Sequence, residues 1–91
     1  SFRLEELILK LLYQHDEIGH VILMCTAINE VDYSAMETLE SINHNLNEQG
    51  VMLHLSEVKG PVMDILQKSD FLEALGGHVY LTQYQAYHDL C

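Results

Sequence analysis

The chain has 91 residues, 48% of them hydrophobic, which is enough to bury one core but not two, so we expect a single domain. Its formal net charge is −10, with 14 acidic residues against 4 Lys and Arg. So few cations argue against nucleic-acid binding and against charge-driven docking on an anionic membrane. The longest apolar run, residues 21–28, is much shorter than the roughly 20 residues that span a bilayer.

The first two predicted elements are a helix and a strand. Residues 2–15 carry apolar side chains at helical spacing, which predicts an amphipathic helix with its charged residues outside. The apolar residues at helical spacing are Leu4, Leu7, Ile8, Leu11 and Leu12. Residues 20–25, HVILMC, have consecutive apolar residues, as a strand buried on both faces does, and this favours a parallel sheet. We expect the stripe of Leu4, Leu7 and Leu11 to pack on this strand.

A second helix and a second strand follow. Residues 34–49 predict a helix that ends at Gly50, a residue suited to a left-handed backbone. Its apolar stripe consists of Ala35, Met36, Leu39, Ile42 and Leu46. Residues 51–58, VMLHLSEV, predict a strand that keeps Val51, Leu53 and Leu55 on one face.

The last third of the chain predicts two more helices around a short strand. Pro61 suits the first turn of a short helix. Residues 78–81, HVYL, predict a third strand, and the spacing of Thr82 and Gln85 is that of a capping box opening a last helix. Strands alternating with helices predict an α/β domain with parallel strands flanked by helices.

A sheet of three strands covered by four helices would be thin. The first predicted helix has an apolar face that needs a sheet to pack on, yet only three strand candidates follow it. We therefore expect that residues preceding Ser1 in the natural protein supply N-terminal strands missing here. On this view residues 1–91 are one domain of a longer protein.

The segment around Ser34 allows a structural and a regulatory interpretation. Ser34 and Glu37 have the spacing of a capping box, in which the serine hydroxyl accepts from the Glu37 N–H and the glutamate carboxylate from the Ser34 N–H. Asp32 is the alternative cap. A hydroxyl at a helix N-terminus is also a favourable place for a phosphate, because backbone donors and the helix dipole point at it. Composition alone leaves both interpretations open.

Other polar residues suggest weaker hypotheses. His54 and His78 on neighbouring strands could bind a metal, but no third ligand lies at a suitable spacing, so we expect solvated or hydrogen-bonded histidines. Lys59 and Gly60 lack the glycine-rich loop of a phosphate site, and they are interpreted as a turn before a helix.

The tyrosines and cysteines are given structural roles. Tyr80, Tyr84 and Tyr87 are expected to pack, with their hydroxyls at the surface. Cys25 is predicted to be an inert core thiol and Cys91 an exposed one; their spacing fits neither a metal nor a redox site, so a reducing, cytosolic setting is expected. No nucleophile, base and acid can be assembled, and we expect neither an enzyme nor a cofactor.

Three segments carry a resemblance to a known family. NEVDYSAMETLE, GVMLHLSEVKGPVMDIL and FLEALGGHVYLTQYQA occur in this order and resemble the STAS domain of SulP-type anion transporters, the sulfate permease family. This domain forms the cytosolic C-terminal part of the transporter and is related to the anti-sigma-factor antagonists. The resemblance implies a STAS-like α/β fold with a mixed sheet and helices, which normally begins with strands this chain lacks.

The resemblance also implies a function and a location. It predicts a non-enzymatic regulatory or docking domain at the cytoplasmic face of the bacterial inner membrane, as part of a membrane transporter. The expected partners are the transmembrane part of the same transporter and a cytosolic protein, with a homodimer as a further arrangement. The alternative is a stand-alone antagonist that acts on a sigma-factor regulator; the run LHLSEVKGPVMD favours the transporter.

One loop of the antagonist branch can be compared residue by residue. That branch holds a phosphorylated serine in an Asp-x-Ser-Gly loop, and Asp32, Tyr33, Ser34 and Ala35 occupy the same places here. The aspartate and the serine match, whereas Ala35 departs from the glycine. The resemblance therefore makes Ser34, with Asp32 beside it, a candidate phosphorylation site.

Overall fold

A computed structural model describes residues 2–91, with the side chain of Phe2 excepted. Helices and strands alternate along the chain, as the sequence predicts. The helices are α1 (Phe2–Gln14), α2 (Tyr33–Glu48), α3 (Gly60–Lys68), α4 (Phe71–Ala74) and α5 (Gln83–Leu90). The strands are β1 (His20–Met24), β2 (Met52–Ser56) and β3 (Val79–Tyr80). The single turn of α4 was not predicted, and it buries Phe71 completely.

The three strands form one parallel sheet in the order β1-β2-β3. Helices connect consecutive strands, and such crossovers produce parallel pairing. Leu23 of β1 pairs with Leu55 of β2, which pairs in turn with Val79 of β3. The predicted α/β class and parallel sheet are therefore confirmed, although β3 is shorter than the predicted strand over residues 78–81.

The core lies on the face of the sheet that carries the leucines and valines. Leu53 and Leu55 of the central strand are 0% and 1% exposed, and α2 packs on this face. The predicted stripe of α2 is confirmed: Leu39, Ile42 and Leu46 are buried, while Ala35 and Met36 pack at its margin. Gly50 adopts a φ of 75°, so the residue after α2 has the left-handed backbone expected of it.

Two predictions about burial are wrong. β1 is not buried on both faces: its central residues are half-buried, and His20 and Met24 are exposed. β1 lies at the edge of the described sheet, and the 8-residue α5 covers only part of its second face. In α1 the buried residues are Ile8 and Leu12, one turn apart on one line of the helix, with Leu4 partly buried.

The flanking Leu7 and Leu11 of α1 remain 54% and 43% exposed, so the predicted stripe of Leu4, Leu7 and Leu11 does not face the sheet. An apolar arc wider than the buried contact leaves one side of the helix in solvent. None of the helices within residues 2–91 combines the length and apolar character needed to cross a membrane.

Candidate functional site

A groove of about 570 Å³ opens at the carboxyl end of β1. In open α/β sheets, ligands bind beyond the carboxyl ends of the strands, because the loops there are free to form a crevice. The apolar residues of the groove come from α1, β1, the β1–α2 loop and α2; they are Leu4, Leu23, Ala27, Ile28, Val31, Ala35 and Leu39. Its polar residues are Asn29, Glu30, Asp32, Ser34 and Thr38. The predicted regulatory residues therefore line this groove.

The helix that borders the groove begins with an aspartate cap. Asp32 has an extended backbone, and its Oδ1 accepts a hydrogen bond of 2.8 Å from the Ala35 N–H. The Asp32 carbonyl accepts from the Met36 N–H at 2.9 Å, which is the first helical bond. This arrangement satisfies one of the backbone donors that every helix leaves open at its start.

The prediction that Ser34 and Glu37 form the capping box is therefore wrong, and the alternative cap, Asp32, is the observed one. The physical reason is position: a cap precedes the first helical residue, and α2 begins at Tyr33, which places Ser34 inside the first turn. The Ser34 side chain is exposed at the groove, and the Ser34 carbonyl accepts from the Thr38 hydroxyl at 3.1 Å. Phosphorylation of Ser34 stays a prediction.

The surface around the groove is acidic. Residues 11–58 contain no Lys or Arg and eight Asp and Glu. Glu30 and Asp32 line the groove, and Glu37 is exposed on the first turns of α2. Lys59 lies at this end of the sheet, where its Nζ donates to the Asn29 side chain. The groove therefore combines an apolar lining with a rim of mostly negative charge.

His54 is a buried, hydrogen-bonded histidine. It is 1% exposed, and its Nδ1 accepts from the backbone N–H of His78 at 3.0 Å. Of the two expected alternatives, a solvated or a hydrogen-bonded histidine, His54 is the hydrogen-bonded one. Its Nε2 lies 3.0 Å from the Nδ1 of His20, a partner that the sequence analysis missed. The pairing register of β1 and β2 could have revealed this contact, because His54 pairs with Ile22, and His20, two residues before Ile22, lies on the same face. Within residues 2–91 no cluster of three or more His, Cys, Asp or Glu could hold a metal ion.

The tyrosines differ from their predicted role. Tyr84 and Tyr87 are 72% and 60% exposed, so the prediction that they pack is wrong; they lie on the outer side of α5, whose buried residue is Ala86. Tyr80 is partly buried, and its hydroxyl donates to the Asp89 carboxylate, which raises the pKa of Tyr80 to about 12.

The remaining candidates occupy the predicted positions. Cys25 is buried, and burial raises the pKa of its thiol, which keeps the thiol protonated and unreactive. Cys91 is exposed. Lys59 and Gly60 form the start of α3, with Pro61 in its first turn. The Thr82 hydroxyl accepts from the Gln85 N–H at 3.0 Å, so the predicted cap of α5 is confirmed.

An α/β fold with a parallel sheet flanked by helices is consistent with the fold that the resemblance implies. A sequence profile of the STAS domain matches residues 2–86. The chain belongs to this family. It is 38% identical over 71 residues to the protein named "Probable sulfate transporter 3.4" of Arabidopsis thaliana, a match that covers 77% of this chain and 11% of that protein.

Proposed function

We propose that the chain is the STAS domain of a SulP-type sulfate or anion transporter, where it regulates transport without catalysing a reaction. The observation that carries the proposal is the similarity to a protein named as a sulfate transporter, together with the STAS profile over residues 2–86. The chain spans 11% of that relative, which fits one appended domain of a larger protein. The relative is a plant protein, so the proposal places the domain at the cytoplasmic face of a membrane without restricting it to bacteria.

The proposed contact surface is the acidic groove at the end of β1. Its apolar lining supplies area to bury, and Glu30, Asp32 and Glu37 around it favour a partner with Lys or Arg. The transmembrane part of the same transporter or a cytosolic protein can supply such a basic segment. Contacts between exposed charges of this kind weaken as salt rises.

The experiment measures sulfate uptake by the full-length transporter in vesicles. Reversing two charges at the groove, Glu30→Lys with Glu37→Lys, should change the uptake rate severalfold because the basic partner then meets like charge. Asp64→Lys with Glu73→Lys is the matched control, since both residues are exposed and lie on α3 and α4. Equal uptake by the two double variants, at equal amounts of transporter, would contradict the groove as the contact surface.

A stand-alone antagonist switched at Ser34 is the second candidate, favoured by the exposure of Ser34 at the groove. A phosphate there would gain from the N-terminus of α2 but would add about −1.5 to −2 charges beside the Asp32 carboxylate. The test replaces Ser34 by phosphoserine and compares partner capture with the unmodified chain. Identical capture of a sigma-factor regulator by both forms, or none by either, would remove this candidate.

A further inference from the structure

Three histidines form a row across one face of the sheet, and none of them lines the groove. His20 begins β1, His54 lies in the middle of β2, and His78 directly precedes β3. The ring centroids of His20 and His54 are 5.1 Å apart, and those of His54 and His78 are 5.8 Å apart. We call these three residues the histidine row. Each strand of the sheet therefore contributes one imidazole to the same place.

Hydrogen bonds fix the protonation of the central imidazole. The backbone N–H of His78 donates to Nδ1 of His54 at 3.0 Å, so this nitrogen carries no proton. A neutral imidazole has one donor and one acceptor nitrogen, which puts the His54 proton on Nε2. Nε2 then donates to Nδ1 of His20 at 3.0 Å. A continuous chain of hydrogen bonds thus runs from β3 through β2 to β1.

This chain cannot accept a proton without breaking. A second proton on His54 would occupy Nδ1 and face the N–H of His78, so that two donors meet. A proton on Nδ1 of His20 would likewise face the N–H of His54. In either case one bond of the row is replaced by a repulsive contact, and a polar group is left unpaired beside a buried side chain.

The groups that surround His54 also disfavour its protonation, with one exception. Burial lowers the pKa of His54, and the neighbouring His20 and His78 lower it further. Asp89 on α5 has the opposite, smaller effect on this pKa, and its carboxylate is already engaged by the hydroxyl of Tyr80. The ring of Tyr80, 5.8 Å from that of His54, adds an apolar wall.

We propose that the histidine row is a pH-sensitive connection between the three strands, intact when His20 and His54 are neutral and broken when either of them takes up a proton. None of the three histidines lines the acidic groove, so this inference does not depend on the proposed function. It gives the domain a response to acidification of its compartment, because histidine is the side chain that changes charge between about pH 5 and about pH 8.

The sign of the effect follows from linkage between protonation and folding. The pKa of His54 in the folded chain lies below the value of 6.5 that applies when the chain is unfolded. Between these two values the unfolded chain binds more protons than the folded one, so stability falls as the pH falls. The full contribution of the row is present above about pH 6.5 and is lost progressively below it.

Nitrogen-15 NMR of the histidine rings tests the arrangement in the unmodified chain. At about pH 8 we expect His54 to show a protonated Nε2 and an unprotonated Nδ1. On acidification the pKa of His54 should lie below its ordinary value of 6.5. A His54 that carries its proton on Nδ1, or whose pKa is not lowered, would overturn the proposal.

Urea unfolding between about pH 8 and about pH 5 tests the expected loss of stability on acidification, with a matched pair of variants. His54→Asn keeps an oxygen acceptor near the position of Nδ1 for the His78 N–H but cannot be protonated, so the fall in the unfolding midpoint on acidification should be at most half that of the unmodified chain. His44→Asn makes the same chemical change outside the row, at similar helix propensity, and should keep the full fall. Equal falls in the two variants would overturn the proposal.

Discussion

Asp32 is the residue whose single side chain fixes where α2 begins. Its Oδ1 accepts from the Ala35 N–H at 2.8 Å, whereas Ser34 lies within the first turn. We predict that Asp32→Ala lowers the free energy of unfolding by about 0.5 to 2 kcal/mol, the usual cost of losing a cap. Ser34→Ala should change it by less than about 0.5 kcal/mol, as surface substitutions do. Denaturant unfolding of both variants measures the difference.

Asp32→Asn separates capping from charge. Asparagine keeps an oxygen acceptor at the cap and removes the carboxylate, so its stability should lie close to that of the unmodified chain. If Ser34→Ala proved as costly as Asp32→Ala, the serine would be the cap in solution and the assignment to Asp32 would fail.

Gly77 occupies the tightest backbone position beside the histidine row. A Cβ there would lie 2.3 Å from Nδ1 of His54 and 2.4 Å from the carbonyl oxygen of Leu53. The backbone oxygen cannot move aside without disturbing β2, so Gly77→Ala should cost about 1 to 3 kcal/mol or more in unfolding free energy. Thermal or denaturant unfolding measures this loss.

The adjacent Gly76 provides the matched control for Gly77. Its Cβ would meet the Asn47 side chain, with Oδ1 at 2.5 Å, and Asn47 is an exposed residue that can turn away. Gly76→Ala should therefore be tolerated with a much smaller loss than Gly77→Ala. Equal losses in the two variants would show that the close approach to His54 is not the cause.

At the scale of elements, Asn43 ties α2 to the segment that leads into β3. Asn43 is 4% exposed; its Nδ2 donates to the Ala74 carbonyl at 2.8 Å, and its Oδ1 accepts from the Gly76 N–H at 3.2 Å. We predict that Asn43→Ala lowers the unfolding free energy by about 1 to 3 kcal/mol, because two backbone groups lose their partner.

The control for Asn43 is an asparagine on the same helix without this role. Asn47→Ala changes an exposed amide at the end of α2 and should cost less than about 0.5 kcal/mol. Urea unfolding with equal denaturant slopes would allow the two variants to be compared directly. The proposed role of Asn43 would be refuted if Asn43→Ala did not lose more unfolding free energy than Asn47→Ala.

The elements show what periodicity can predict and what it cannot. The alternation of helices and strands and the α2 stripe of Leu39, Ile42 and Leu46 followed from sequence spacing alone. Spacing could not say that Leu7 and Leu11 stay outside, because the apolar arc of α1 is wider than the surface that covers it. It also could not say that His20 meets His54, since that contact depends on strand register.

Two residues of the candidate site were predicted from the sequence, but the identity of the helix cap and the groove itself were not. The resemblance and the spacing placed Asp32 and Ser34 at the start of a helix, and both residues line the groove. Two candidate caps two residues apart both satisfy the sequence rule, and only the position of the first helical residue, Tyr33, decides between them. The groove itself depends on how Leu4 and Leu23 approach each other across the chain, which no local pattern contains.

At the scale of the whole molecule, β1 is one of the two edge strands of the sheet in the described residues. Within residues 2–91 β1 pairs with β2 on one side, through acceptors and donors that include the Gly19 carbonyl and the Cys25 N–H. Alternate residues of a strand direct these groups to opposite sides, so the N–H of Met24 points to the open edge. We propose that this open edge is a site where a further strand can pair.

The prediction is that the 91-residue chain self-associates through this edge. Light scattering should give an apparent mass that rises with concentration. Met24→Pro removes an edge N–H without removing a bond to β2 and should reduce the association, whereas Met24→Ala, which changes the same exposed side chain, should not. A mass that stays monomeric at high concentration in the unmodified chain would disprove the edge as an association site.

The shortness of β3 has a consequence for cooperativity. β3 pairs with β2 only at Leu55↔Val79 and Ser56↔Tyr80, whereas β1 and β2 pair over five positions from His20↔Met52 to Met24↔Ser56. Regions with few backbone bonds open at a lower free energy than the global transition, as partly independent units. β3 and α5 therefore form the segment that detaches first, and the backbone N–H groups of Gly77 and Tyr80, which face β2, should exchange with solvent while β1 and β2 remain folded.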